Sequence, residues 1–130
     1  MKRILLDTNA YGAFLAGRDE IFDALGKADI VYMSVSVLGE LYAGFRGGTK
    51  ARENKTMLGR FLAKPTVAVL HVTHETAEVF GEVKDRLKTR GTPIPLNDIW
   101  IAAQAIDTGS QVVSYDAHFR NIDGLRCWDL

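Results

Sequence analysis

Apolar and polar positions fall into short blocks along the chain. Ile4-Leu5-Leu6 is a compact apolar run bounded by charge, and it predicts a buried strand over Lys2–Asp7. Thr8 and Asn9 can cap a helix running to Ala16, and a second helix is expected over Asp19–Lys27. Ile30–Met33 is strand-like. Ser34 or Ser36 can cap a helix through Phe45, closed by Gly47-Gly48. Residues 50–63 form a basic helical segment ending before Pro65, and Val67–Val72 returns to strand pattern. Thr73 can cap a long helix to Arg90, with Gly91 as its stop. After the extended connector Thr92–Leu96, Asn97 opens a helix ended by Gly109. Gln111–Ser114 is a strand, Asp116–Asn121 a short turn or helix, and Leu125–Trp128 a last strand.

Short apolar strands alternating with amphipathic helices predict an α/β fold. A mostly parallel central sheet is flanked by helices on both faces, and residues 1–130 form one domain. In such sheets ligands bind beyond the carboxyl ends of the strands, so residues at those ends are the first candidates for chemistry.

Composition narrows the classes. With 47% hydrophobic and 25% charged residues, the chain can build a core, which excludes a disordered tail or a fibre. The longest unbroken apolar run, Ile99–Ala103, is far short of the ~20 residues of a membrane span. The N-terminal apolar stretch stops after Leu6, so no secretory leader is expected and the cytoplasm is the expected location. A single cysteine, Cys127, allows no internal disulfide. His71 and His74 lack the companions a zinc site needs. The 16 basic and 16 acidic residues cancel, unlike the excess of basic charge common in nucleic-acid binders. The basic residues are nevertheless grouped. Arg46, Lys50, Arg52, Lys55, Arg60 and Lys64 share a segment whose only acid is Glu53, and Lys84, Arg86, Lys88 and Arg90 form a second group. Either group fits a solvated helix face or an electrostatic rim for a polyanion.

Four acids change the picture. Asp7 ends the first strand, and Asp116 lies just past the strand ending at Ser114. Each suits a helix N-cap. Glu40 shares a helical stripe with Val37 and Leu41, so it either turns inward at a cost or reaches water from the stripe's edge. Asp98 precedes the stripe Ile101, Ala102, Ala105 and Ile106. It suits the helix dipole, but Asn97 beside it is an equally good cap and leaves it free for another role. Gathered together, the four would repel: two unit charges 4 Å apart do so by ~4 kcal/mol at an effective dielectric of 20. An all-oxygen donor set without thiolates suits a hard cation, Mg²⁺ or Mn²⁺, and such sites commonly serve phosphate chemistry.

The same residues carry a family resemblance. Asp7-Thr8-Asn9 after an apolar strand resembles the opening of PIN-domain ribonucleases. Ser36-Val37-Leu38-Gly39-Glu40-Leu41 resembles their second motif, and Pro95-Leu96-Asn97-Asp98-Ile99-Trp100-Ile101-Ala102-Ala103 their third. Ser114-Tyr115-Asp116-Ala117-His118-Phe119 resembles the fourth. Their order, spacing and the chain length are similar to VapC, the toxin of VapBC toxin–antitoxin pairs. The resemblance implies a PIN fold and a Mg²⁺-dependent endoribonuclease, with Mn²⁺ able to substitute, acting on tRNA, rRNA or other structured RNA. It implies Asp7, Asp98 and Asp116 as metal ligands, with Glu40 acting through water. Thr8, Asn9 and Ser114 would hold the carboxylates by hydrogen bonds. A VapB-type antitoxin and a homodimer are the implied protein partners, and Lys50, Arg52 and Lys55 are candidate RNA contacts.

Three other readings are weaker. A haloacid-dehalogenase-type phosphatase needs a second acid where Asn9 stands. A phospho-receiver domain needs paired acids after its first strand, which are absent. A catalytically inactive PIN-fold interaction module fits the pattern, but no motif acid is missing.

Overall fold

The structure, a computed structural model, describes residues 1–130. Five strands, β1 (Arg3–Leu6), β2 (Ile30–Ser34), β3 (Val67–Leu70), β4 (Gln111–Val113) and β5 (Arg126–Cys127), form one sheet. All neighbours are parallel, in the order β3-β2-β1-β4-β5. The six helices are α1 (Thr8–Leu15), α2 (Asp19–Lys27), α3 (Val35–Arg46), α4 (Ala51–Leu62), α5 (His74–Arg90) and α6 (Leu96–Thr108), and a 3-10 turn spans Ala117–Asn121.

The central strand explains the apolar run at the N-terminus. Ile4, Leu5 and Leu6 are all inaccessible to solvent, because β1 has sheet neighbours on both sides and helices over both faces. Complete burial of such a side chain contributes ~1.5–3 kcal/mol. Right-handed crossovers place α1 to α4 on one face and the α5–α6 pair on the other. The chain winds outward from β1 to β3, then returns to β4 on the far side of β1. The winding therefore reverses between β1 and β4, and the crevice at their carboxyl ends is where this fold class binds ligands.

Most predicted elements form where the pattern places them, and the differences lie at their ends: β5 is Arg126–Cys127 rather than Leu125–Trp128, and the other bounds move by a residue or two. Asp7 caps α1 rather than Thr8 or Asn9: its carboxylate accepts the Ala10 N–H at 2.8 Å. Asn97 caps nothing, because α6 starts one residue earlier behind Pro95, whose extended backbone serves as the entry. β3 and β4 stop short of Val72 and Ser114. Their last paired residues, Leu70 and Val113, lie opposite Ser34 and Leu6, where the neighbouring strands end. Elsewhere Ser34 caps α3, and Thr73 and Thr76 form a reciprocal capping box at the start of α5.

Helix α6 is tied to the carboxyl edge of the sheet through Gln104. The buried Ser34 hydroxyl donates to Gln104 Oε1 at 2.5 Å, and Gln104 Nε2 donates to the Leu70 carbonyl at 3.2 Å. One side chain of α6 thus ties the ends of β2 and β3, and the N-terminus of α3, to the helix that carries Asp98.

Candidate active site

Asp7 follows β1 directly and is only 5% exposed. One carboxylate oxygen caps α1, and the other accepts the hydroxyl of Ser114, which follows β4 on the adjacent strand. The Ser114 oxygen in turn accepts the Asp116 backbone N–H at 2.9 Å. Asp116 Oδ1 accepts the His118 N–H at 2.9 Å, which starts the 3-10 turn. Asp98 projects from the first turn of α6. A cleft of about 250 Å³ is lined by Asp7, Thr8, Asn9, Glu40, Pro95, Asn97, Asp98, Ile101 and Asp116. All four acids singled out in the sequence therefore share one cavity, although they come from four separate elements.

Glu40 reaches this cleft from the edge of its helical stripe. Val37 and Leu41 are buried, whereas Glu40 is exposed. Glu40 does not turn inward: α3 keeps its ionisable side chain on the wet wall and avoids the cost of an unpaired buried charge. Of the three expected supporting residues, Ser114 makes two hydrogen bonds within the acid cluster. The Thr8 hydroxyl lines the cleft buried and unpartnered. Asn9 is exposed on the cleft wall. Lys50, Arg52 and Lys55 are exposed around the start of α4 and are not among the residues lining the cleft. The Lys55 ammonium lies 6.0 Å from the centre of the Tyr42 ring.

The electrostatics match a crowded anionic site. Burial lifts the Asp7 carboxyl above its ordinary value, the Ser114 and Ala10 hydrogen bonds oppose this, and Asp98 and Asp116 lift it further. Burial also lifts Asp98, opposed by His118 and reinforced by Asp116. Three carboxylates with a buried member and mutual repulsion form a donor set that fits a divalent cation. A larger hollow of about 420 Å³, walled by Lys84, Leu87, Lys88, Ile94, Leu96 and Ile99 among others, has no carboxylate in its lining.

The residue that sequence reasoning passed over is His118. Its Nδ1 lies 3.1 Å from Asp116 Oδ1 and 3.4 Å from Asp98 Oδ2. The available signal was its position two residues after Asp116, where a tight turn brings a side chain back over the acid that caps it. His71 and His74, considered for zinc, are both exposed, and His74 pairs only with Glu78 on its own helix.

The chain is similar to known proteins over most of its length. The chain is 28% identical over 120 residues to Ribonuclease VapC5 of Mycobacterium tuberculosis, covering 92% of this chain and 87% of that protein. It is 27% identical over 110 residues to Ribonuclease VapC2 of Rickettsia felis, covering 82% and 81%. The crystal structure of VapBC2 from Rickettsia felis bound to a promoter DNA fragment contains a chain that superposes with a TM-score of 0.86. The identity is 25%, and 97% of each chain is covered. The PIN domain family model matches residues 4–125, a span that holds β2, β3, β4, nearly all of β1 and every acid of the cleft; the chain belongs to the PIN-domain family.

Proposed function

We propose that this chain is a metal-dependent endoribonuclease acting as the toxin of a VapBC-type pair. The single observation that carries the reading is the convergence of Asp7, Glu40, Asp98 and Asp116 on one cleft at the winding reversal of the sheet. The names of its relatives, Ribonuclease VapC5 and Ribonuclease VapC2, supply the substrate class. Residues 1–130 act as one PIN unit.

Asp7, Asp98 and Asp116 hold a divalent cation, Mg²⁺ or Mn²⁺ in its place. When bound, the cation offsets charge on the phosphate oxygens and lowers the barrier to deprotonating water. Ser114 fixes the Asp7 and Asp116 carboxylates relative to one another, and Thr8 and Asn9 complete the polar wall. Glu40, exposed in the cleft, accepts the proton of the attacking water. The water oxygen forms a bond to phosphorus as the bond to the leaving sugar oxygen breaks, and that oxygen takes a proton from solvent water. The substrate is tRNA, rRNA or another structured RNA, with Lys50, Arg52 and Lys55 contacting its backbone.

The chain acts in the cytoplasm as a homodimer and is restrained by a VapB-type antitoxin. An antitoxin Arg is suited to the acid cleft, because a guanidinium pairs bidentately with carboxylates. No helix is long and apolar enough to cross a membrane.

The test is purified chain incubated with structured RNA, with and without Mg²⁺, followed by sequencing of the cut ends. Defined internal cuts that disappear with chelator and with Asp98→Asn are expected. An inactive wild-type chain, or cuts that persist in Asp98→Asn, would overturn the reading.

A further inference from the structure

We infer that His118 is a nitrogen ligand of the cleft's cation, so that the site selects a first-row transition-metal ion such as Mn²⁺ over Mg²⁺. This rests on the metal reading above and adds a residue and a metal class to it.

The argument starts from position. One ligand-capable atom from each of Asp98, Asp116 and His118 lies within 4.8 Å of the other two. His118 Nδ1 stands 3.1 and 3.4 Å from oxygens of the two carboxylates. Two donors at right angles around one ion, each ~2.1 Å from it, are themselves ~3 Å apart. The imidazole nitrogen therefore already stands at the separation expected of an adjacent ligand. The backbone supports that placement. The His118 N–H is held by Asp116 Oδ1, and Phe119 beside it is buried, which anchors the turn. The ring itself is about half exposed, with side-chain accessibility of 48%, so it has room to adjust.

The chemistry then decides between ions. Mg²⁺ takes oxygen donors and keeps several waters, so it gains little from an imidazole. First-row transition ions gain more from an imidazole nitrogen than Mg²⁺ does, Mn²⁺ the least of them and Fe²⁺ to Zn²⁺ more, so Mn²⁺ is the most demanding case. Two carboxylates and one imidazole on one side of an ion leave its remaining positions open for Asp7, water or phosphate. A plain hydrogen-bonding role for His118 makes the opposite prediction. If the ring is only a hydrogen-bond partner of Asp98 and Asp116, an incoming ion must displace it, and its removal should leave both metals binding equally well or more tightly.

The experiment uses the full chain and its His118→Ala and His118→Asn variants in one buffer at one fixed pH. Mn²⁺ binding is followed by the loss of the free-ion electron paramagnetic resonance signal, and Mg²⁺ binding by calorimetry. Pulsed resonance on the Mn²⁺-loaded wild type then looks for nitrogen modulation. Expected are a Mn²⁺ affinity at least ~10-fold weaker in both variants, Mg²⁺ affinity unchanged or tighter, and imidazole nitrogen coupling in the wild type. Equal or tighter binding of both metals in the variants, or no nitrogen coupling in the wild type, overturns the His118 assignment while leaving the carboxylate site standing. Failure of the wild type to bind either ion, or binding unaffected by Asp98→Asn, overturns the metal reading itself and this inference with it.

Discussion

Ser114 donates its hydroxyl to the carboxylate of Asp7, joining two residues 107 positions apart at the carboxyl ends of adjacent parallel strands. The same oxygen accepts the Asp116 N–H, so one small side chain sets the relation between two acids of the cleft. Ser114→Ala should leave the fold intact, raise the Asp7 carboxyl further and weaken cation binding ~10–100-fold, the range for groups that orient ligands. Calorimetric titration of the variant checks this. Wild-type affinity would mean that the α1 cap alone is enough to hold Asp7.

Mg²⁺ or Mn²⁺ should stabilise the free chain, because the clustered carboxylates repel one another without it. At 100 times the dissociation constant the linkage is ~2.7 kcal/mol. For a chain of this size the melting temperature should rise on the order of 10 °C. Asp98→Asn should blunt the response. A flat melting temperature across a millimolar titration of the wild type would count against the site.

The stability of the metal-free chain should depend on pH with a definite sign. Asp7 and Asp98 both have folded-state carboxyls raised above their ordinary value, chiefly by burial. A raised acid contributes stability that is present below its unfolded pKa and lost as pH rises through its folded pKa. In chelator, the wild type should therefore lose stability relative to Asp7→Asn between acidic and neutral pH, and the variant should be at least as stable at neutral pH. Asparagine can still cap α1. Paired melting curves across pH test this, and an Asp7→Asn variant that melts below the wild type at neutral pH would refute it.

The four acids should act as a unit in cleavage. Single changes of Asp7, Asp98 and Asp116 to Asn, and Glu40 to Gln, should each slow cleavage about 10²–10⁴-fold. The Asp7/Asp98 double variant should be little worse than either single, since effects within one catalytic constellation are strongly non-additive. Glu40→Gln should keep the most metal affinity, because Glu40 is the exposed member. Single-turnover rates measure this directly. Multiplicative losses in the double variant would separate Asp7 from Asp98.

Lys50, Arg52 and Lys55 are exposed and lie outside the cleft lining, so their replacement by Ala should spare the metal response. RNA binding should weaken, and the slope of log affinity against log salt should shrink by up to about 3. Filter binding at several salt concentrations measures both. An unchanged slope would return these side chains to an ordinary solvated helix face.

The elements were legible in the sequence because their signals are local. Ile4-Leu5-Leu6 has no polar position, so it had to be covered on both faces, which only a central parallel strand provides. Thr73 and Gly91 mark the two ends of α5 by capping chemistry that needs no knowledge of the rest of the chain. The positions of the four acids at strand ends and helix starts were equally visible, since the period of each element determines which residue comes last or first. Several details depended on the neighbours in space. Asp7, Thr8 and Asn9 are all candidate caps for α1, and Asp7 takes the role because β1 ends one residue before the turn and aims the aspartate back at the Ala10 N–H. β3 ends at Leu70 because its partner β2 runs out at Ser34, a pairing no periodicity in Val67–Val72 encodes. Glu40 faces the wet wall because of where α3 packs, and a stripe on a helical projection leaves its edge residues undecided. His118 shows the limit most clearly. Its distance to Asp98 exists only because α6 packs against the 3-10 turn and brings a residue 20 positions upstream beside it. Spacing along a chain ranks residues by element and face, whereas the approach of side chains from different elements is set by how those elements pack.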